Sequence, residues 1–230
     1  MPGGKKWDLN KQLADSAITG TAENIKELLD AGADPDAPDS FYGLTALMKV
    51  AQQGYIDKAK LLLDYGADPN IPDNGGGTAL IHAVRYGQTE MVKLLIGRGA
   101  DKDAVNKEGH TLLITVCRDP KKIYQVNRRE VIATLIALGA SLDNTDKYGN
   151  TALIHLALEG YTGIMKLLIE HGADPDIRNK TGMTALDILK ACYSDKYKRW
   201  MQDTAMKARK QILKKEDSAK SSYTGYEFDI

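Results

Sequence analysis

The sequence predicts an all-α solenoid, a stack of helix–turn–helix units joined by short β-hairpin-like connections. Two observations carry this prediction. A phrase that begins with Thr and a phrase that begins with Gly-Ala each occur five times, at intervals of 33 or 34 residues except for one interval of 40. Because the two phrases stay in phase, we expect one repeated structural unit that buries its apolar face against its neighbours.

Each unit is predicted to contain a turn, a first helix and a second helix. A glycine stands two residues before the Thr phrase, as in Gly76 and Thr78, and this glycine is expected in the turn. The threonine is expected to cap the first helix, whose apolar residues follow at helical spacing. The second helix carries an apolar pair such as Leu95 and Ile96 and ends at the glycine of the Gly-Ala phrase, here Gly99.

This pattern resembles the ankyrin repeat, whose motif runs roughly G-x-T-P-L-H-x-A-A followed by V-x-L-L-L-x-x-G-A-D-x-N. The best copy reads Gly76-Gly-Thr-Ala-Leu-Ile-His-Ala-Val and then Val92-Lys-Leu-Leu-Ile-Gly-Arg-Gly-Ala-Asp-Lys-Asp103. The resemblance covers about residues 8–190, and it is specific because many columns repeat in phase. It implies a protein-binding solenoid in which the turns and first helices line a groove.

The chain departs from the family motif at the histidine. The family places His directly after the Leu of the Thr phrase, whereas this chain has Met or Ile there and places His82 and His155 one position later. These two histidines are therefore expected to lie at a solvated edge and not to make the structural hydrogen bonds of the family's histidine. Cys117 falls in an apolar column, and Cys117 and Cys192 are both expected to be small buried residues.

The repeat phase divides the chain into seven segments. They are an N-terminal capping repeat at 8–42, repeats at 43–75 and 76–108, a repeat with a seven-residue insertion at 109–148, a repeat at 149–181, a C-terminal capping repeat with an extended basic helix at 182–216, and a flexible tail at 217–230. The insertion is expected between the two helices of its repeat, with Asn127 as the N-cap of the second.

Composition and motif spacing argue against several classes of function. Lys+Arg and Asp+Glu both number 31, so bulk charge gives no reason to expect nucleic-acid binding, although residues 190–220 hold ten Lys or Arg against four Asp or Glu. No apolar stretch is long enough to span a membrane. The chain has no signal-peptide pattern, which favours a cytoplasmic protein, with a nuclear protein or a secreted effector as alternatives.

The sequence offers no constellation for catalysis or for metal binding. His-x-x-x-His, Cys-x-x-Cys and Gly-x-Ser-x-Gly spacings do not occur, and the glycine-rich stretch 74–77 is not followed by Gly-Lys-Ser/Thr. The chain is therefore predicted not to be an enzyme and to need no metal, cofactor or small-molecule substrate. Its partner is expected to be another protein, and the chain itself is expected to be a monomer.

The resemblance implies that binding residues lie in the turns and at the exposed positions of the first helices, where Tyr and Arg recur. These types are enriched at binding hot spots. The candidates are Phe41, Tyr42, Gln52, Gln53, Arg85, Tyr86, Lys107, His110, Arg118, Lys121, Lys122, Tyr124, Lys147, Tyr148 and Glu159. The insertion is either a tolerated surface loop or a basic site for acidic groups, formed by Arg118, Lys121, Lys122, Arg128 and Arg129.

Two further interpretations of the function stay open. The chain is a localisation adaptor or secreted effector if the basic C-terminal helix and the tail Glu227-Phe-Asp-Ile230 carry the binding, since this tail resembles a ligand of PDZ-type domains. Alternatively, it is a regulatory or inhibitory subunit of an enzyme. The fold alone does not separate these interpretations, because function depends on the binding site.

Overall fold

The computed structural model describes residues 3–118 and 128–203. Within these ranges the chain forms helices joined by turns, and Thr145 and Thr151 form an isolated antiparallel bridge. The helices are α1 (Gly3–Thr19), α2 (Ala22–Asp30), α3 (Ala46–Gln53), α4 (Ile56–Asp64), α5 (Ala79–Arg85), α6 (Thr89–Gly97), α7 (Leu112–Arg118), α8 (Arg128–Ala137), α9 (Ala152–Glu159), α10 (Thr162–Glu170), α11 (Ala185–Cys192) and α12 (194–203, where the description ends).

The helices pack as two layers. The first helices of the units, α1, α3, α5, α7, α9 and α11, each pack against the next along the chain. The second helices α2, α4, α6 and α8 form the other layer in the same way. Each unit therefore buries its apolar side mainly against its immediate neighbours, so the predicted all-α solenoid is confirmed.

Threonine caps begin five of the six first helices, α3, α5, α7, α9 and α11, as predicted. The hydroxyl oxygen of each cap accepts a hydrogen bond from the backbone N–H three residues later, at 3.1–3.4 Å. This bond pairs one of the N–H groups that a helix start leaves without an intrahelical acceptor. The capping residues are Thr45, Thr78, Thr111, Thr151 and Thr184.

The glycines before the Thr phrases all have a positive φ, and at some of them the next turn also approaches closely. Gly149 has a φ of +77°, and a Cβ there would lie 3.0 Å from the backbone nitrogen of Lys180 in the next turn. Gly76 has a φ of +80°, and a Cβ there would lie 3.0 Å from the backbone nitrogen of Lys107. The positive φ disfavours a side chain at every position of the glycine column, and the close contact disfavours it further at Gly76 and Gly149.

Small aliphatic residues fill the core. The leucines of the Thr phrases in the four complete repeats are at most 1% exposed, and they are Leu47, Leu80, Leu113 and Leu153. Cys117 is fully buried, as predicted, and burial raises the pKa of its thiol to about 12. The prediction for Cys192 was wrong: this residue is exposed, because it occupies the same helix position as the exposed Glu159.

The described part of the C-terminal region covers the end of the stack. Trp200 is 8% exposed, the hydroxyl of Tyr193 donates to the carbonyl of Leu158, and the ammonium of Lys196 donates to the carbonyl of Gly160. Both carbonyls lie at the C-terminal end of α9, where cationic and donor groups are favoured. These contacts agree with a capping role for this region.

Other expectations fall partly or wholly outside the described residues. At the N-terminus, α1 already begins at Gly3, ahead of residue 8, where the sequence places the start of the capping repeat. The insertion with Lys121, Lys122, Tyr124 and Asn127, the remainder of the C-terminal helix and the tail 217–230 lie outside these residues. Within the described ranges, no helix has the length and apolar character that crossing a membrane requires.

Candidate functional site

Five turns of similar build precede the first helices α3, α5, α7, α9 and α11. In the second turn, the Oδ1 atom of Asp73 accepts hydrogen bonds from the backbone N–H groups of Gly75 at 2.8 Å and Gly77 at 2.7 Å. An aspartate or asparagine makes the equivalent bonds in every other turn, at Asp39, Asn106, Asp146 and Asn179. Each turn is therefore held by one side chain at its first residue.

Backbone hydrogen bonds also join neighbouring turns. The N–H of Asn74 donates to the carbonyl of Tyr42 at 2.9 Å, and the N–H of Lys180 donates to the carbonyl of Tyr148 at 3.0 Å. The N–H of Lys107 similarly donates to the carbonyl of Gly75 at 3.3 Å. We call the surface formed by the turns 39–44, 73–77, 106–110, 146–150 and 179–183, together with the exposed residues of the first helices, the turn face.

The second oxygen of each aspartate faces a basic residue on the following helix. Asp39 pairs with Lys49 at 3.2 Å, Asp73 with His82 at 2.8 Å and Asp146 with His155 at 2.9 Å. Where the turn begins with asparagine instead, at positions 106 and 179, the facing positions hold Thr115 and Ile188. An ionised carboxylate is thus used only where a basic side chain can compensate for its partial burial.

The predicted solvated positions of His82 and His155 were wrong. Their residues are only 4% and 8% exposed, because their ring nitrogens turn inward to the turn aspartates. The sequence did contain a signal for this arrangement, since an aspartate stands nine residues before each histidine. This signal is visible only when two columns of the repeat are compared. The histidine column alone contains Lys, His, Thr, His and Ile, so it shows no common residue type.

The Asp146–His155 pair has a defined protonation at neutral pH. Burial lowers the pKa of His155, and the hydrogen bond that its ring donates to Asp146 offsets this only in part, while the charge of Arg118 lowers the pKa further. Burial alone would raise the pKa of Asp146, but hydrogen bonds from Asn150, Tyr148 and His155 bring that pKa below its ordinary value. A neutral His155 therefore donates its Nε2–H to an ionised Asp146, which leaves Nδ1 as an acceptor.

His110 extends this pair into a cluster. Its ring is perpendicular to that of His155, with 6.2 Å between the centroids, and its Nε2 atom lies 4.0 Å from Oδ2 of Asp146. Its Nδ1 atom lies 3.3 Å from Nη1 of Arg118 and 3.3 Å from Nδ2 of Asn106. Burial and the charge of Arg118 lower the pKa of His110. A neutral His110 therefore accepts at Nδ1.

A pocket of about 370 Å³ opens over this cluster, between the third and fourth turns. Its residues combine exposed charges at the rim with buried polar groups at the base. They are Glu108, His110, Arg118, Asp146, Lys147, Tyr148, Asn150, His155, Leu158 and Glu159. We call this the third-turn pocket. Five of the predicted binding residues meet here, namely His110, Arg118, Lys147, Tyr148 and Glu159.

Most of the other predicted binding residues that the structure describes lie exposed on the turn face. Phe41 is 83% exposed and Tyr42 is 71% exposed, and Phe41 borders a separate groove of about 560 Å³ beside α1. Gln53, Arg85 and Lys107 are also exposed. The half-buried residues are Gln52 and Tyr86, and His110 is buried at the base of its pocket.

One described residue of the predicted basic site at the insertion is buried. Arg128 is 4% exposed, and its guanidinium carbon lies 4.9 Å from the centre of the Tyr161 ring. This stacking places the cation inside the protein, so Arg128 does not present its charge to a partner. Arg118 and Arg129, in contrast, are exposed. Across the described ranges, no three His, Cys, Asp or Glu side chains are arranged to hold a metal ion.

The histidine cluster predicts a stability that depends on pH. Because folding lowers the pKa values of His110 and His155, the unfolded chain binds more protons when the pH falls below about 6.5, the ordinary histidine value. The free energy of unfolding should therefore decrease as the pH falls through this value, by up to about 1.4 kcal/mol per pH unit for each histidine. Urea denaturation between pH 5 and 8 measures this slope.

A His110→Asn variant is the matched control for the pH dependence. Asparagine already occupies the equivalent turn position at Asn150, so the substitution fits the turn and removes one titrating group. The variant should show a smaller slope below the histidine value than the original chain. An unchanged slope would mean that His110 does not contribute.

Comparison with known proteins agrees with the architecture. A family model described as ankyrin repeats in three copies matches residues 13–106, 86–179 and 122–198. No curated protein matches the chain.

Among solved structures, the chain is similar to the immunity protein in the complex of the predatory endopeptidase Bd0816 from Bdellovibrio bacteriovorus with immunity protein Bd3460. This match has 32% identity and a TM-score of 0.70, and it covers 84% of this chain and 97% of that chain. The chain therefore belongs to the ankyrin-repeat family.

Proposed function

We propose that this protein is a non-catalytic inhibitor that binds an endopeptidase through its turn face. The observation that carries the proposal is the similarity to an immunity protein that was solved in complex with an endopeptidase. The match covers nearly the whole of that protein at 32% identity, so the two chains share the complete stack and not one repeat alone. The proposal follows one of the interpretations that the sequence left open, an inhibitory subunit of an enzyme.

The side chains of the turn face support a role in binding. Phe41, Tyr42 and Tyr148 are 83%, 71% and 58% exposed, although aromatic residues gain most from burial. Exposed aromatic side chains in the company of arginine are typical of interface hot spots. Arg85 and Arg118 are such arginines, and they lie at equivalent positions of adjacent repeats. Within the described ranges neither guanidinium forms an ion pair.

The rigidity of the turns supports tight binding. Each turn is held by its first side chain, and backbone bonds tie the second turn to both its neighbours and the fourth to the fifth. A partner that binds preorganised turns does not have to order them, so less of the interaction energy is lost to conformational entropy. Inhibition would then follow from occlusion, since the turn face would cover the region of the enzyme that substrates must reach.

The proposal is tested by capture and titration. The full chain with an affinity tag is used to capture proteins from a lysate of its source cells, and the captured enzyme is then assayed for peptide hydrolysis with increasing amounts of the untagged chain. We expect an endopeptidase whose activity falls to zero near one equivalent of the chain. A captured endopeptidase that keeps its activity at saturation, or the absence of any peptidase, would contradict the proposal.

Substitution of the exposed aromatic residues predicts a loss of affinity without a loss of stability. Phe41→Ala and Tyr148→Ala should each weaken the complex at least about tenfold, because hot-spot truncations cost more than about 1–2 kcal/mol of binding free energy. Thermal unfolding should be unaffected, since both side chains are largely exposed. Isothermal titration and circular dichroism measure the two quantities.

Tyr65→Ala provides the control for these variants. Tyr65 lies at the end of α4 in the layer of second helices, where its hydroxyl donates to Asp30 at 2.6 Å. Its removal should leave the affinity unchanged. Equal losses for Tyr65 and Tyr148 would show that the turn face is not the binding surface.

A further inference from the structure

An amide side chain completes the histidine pair in the second turn. The Nε2 atom of His82 donates to Asp73 at 2.8 Å, while its Nδ1 atom lies 3.1 Å from Nε2 of Gln52. With the proton of the ring on the nitrogen that faces the carboxylate, Nδ1 is an acceptor, and the Gln52 amide donates to it. Both ring nitrogens of this buried histidine are therefore satisfied within the chain.

The equivalent pair two repeats later lacks that amide. Arg118 occupies the position that corresponds to Gln52, but it directs its Nη1 atom to His110 at 3.3 Å. His155 donates to Asp146 at 2.9 Å, and within the described ranges its Nδ1 atom makes no hydrogen bond. His155 is 8% exposed and lies at the base of the third-turn pocket. This acceptor therefore has to take its donor from water or from a group bound in the pocket.

The charges around the pocket select the chemistry of that donor. A cationic group would meet Arg118 and Lys147, whereas a carboxylate would meet Glu108 and Glu159 and would carry no hydrogen for His155. A neutral carboxamide avoids both conflicts. Its NH₂ group can donate to His155, and its oxygen can accept from the donors of Arg118 that His110 does not use.

We propose that the third-turn pocket is a subsite for the carboxamide of an Asn or Gln side chain from the partner protein. In the complex, this amide donates to His155 in the same way as the Gln52 amide donates to His82 within the chain. The Arg118 guanidinium donates to the amide oxygen, so the subsite recognises both the NH₂ group and the oxygen of the amide. The pocket volume of about 370 Å³ accommodates a side chain of this size. The identity of the partner rests on the proposed function, whereas the amide preference does not.

Small probes test this preference without the partner. N-acetyl-glutamine methylamide, and the glutamate and lysine analogues with the same backbone, are titrated into the full chain while the imidazole ¹⁵N shifts are recorded. A fragment of this size is expected to bind with a Kd of about 1–50 mM. The glutamine probe should shift the Nδ1 resonance of His155 in a saturable manner and bind at least fivefold more tightly than either analogue, as a rough discrimination for unpaired polar groups. His82 should not respond. Equal or tighter binding of an analogue, or no saturable shift, would overturn the proposal.

Two variants supply matched controls. Gln52→Ala removes the internal amide of His82 but leaves the third-turn pocket unchanged, so the response of His155 to the glutamine probe should persist. Arg118→Gln supplies an internal amide at the fourth turn, so the response of His155 to the probe should be lost. A His155 response that persists in Arg118→Gln would contradict the proposal. Because no partner is involved, failure of endopeptidase inhibition would leave these probe results unaffected, and the two proposals are separately testable.

Discussion

Leu153→Ala is expected to lower the free energy of unfolding by about 2–5 kcal/mol, the range found for buried leucines. Leu153 lies in α9 and is 1% exposed, and α9 packs against both α7 and α11. The truncation therefore removes apolar contacts and leaves a cavity at the interfaces on which neighbouring repeats depend. Urea denaturation followed by circular dichroism measures the change.

Leu158→Ala is the matched control because it changes the same residue type on the same helix. Leu158 is 44% exposed and lies toward the turn face. Its truncation should cost less than about 0.5 kcal/mol, as is usual for surface substitutions. Similar losses for the two leucines would contradict the assignment of the core.

Asp146→Ala is expected to destabilise the protein by about 2–4 kcal/mol, given typical costs for broken hydrogen bonds and for the buried groups left unpaired. The carboxylate accepts from the backbone N–H groups of Tyr148 at 2.8 Å and Asn150 at 2.9 Å, and from the ring of His155 at 2.9 Å. Alanine removes all three bonds and leaves the buried His155 without its acceptor. The same denaturation measurement gives the effect.

Asp146→Asn separates the two roles of this carboxylate. Asparagine holds the equivalent turns at Asn106 and Asn179, so the backbone bonds of the turn should persist. Only the bond to His155 must rearrange, through the other tautomer of the ring, and the expected cost is below about 1 kcal/mol. A loss as large as that of the alanine variant would show that the histidine bond, and not the turn, dominates the contribution of Asp146.

The periodic features of the fold were predictable from the sequence because one physical requirement recurs at every repeat. Leu80 and its counterparts are buried at each interface, and a glycine such as Gly149 is needed wherever two turn backbones approach. The departures occur where a repeat differs from its neighbours. Cys192 is exposed because its helix position is a surface position, although a small thiol would suit a core. Arg128 is buried because it stacks on the Tyr161 ring of the next repeat.

The exposure of the candidate residues was predictable from the sequence, but the chemistry of the histidine cluster was not. Exposure of Phe41, Tyr42 and Tyr148 at the turns follows from the repeat pattern. The cluster of His110, Arg118 and His155 does not, because it depends on contacts between turns of different repeats and on which ring nitrogen faces the carboxylate. An aspartate nine residues before a histidine gives such a contact in this chain, and it becomes meaningful only when the repeats are aligned.

Amide hydrogen exchange of the full chain, free and in complex with the captured endopeptidase, would locate the binding surface. If the turn face is the binding surface, protection should appear in the turns at 39–44, 106–110 and 146–150, and the layer of second helices should be unchanged. Protection confined to that layer, or to the tail at 217–230 as the adaptor interpretation requires, would contradict binding through the turn face.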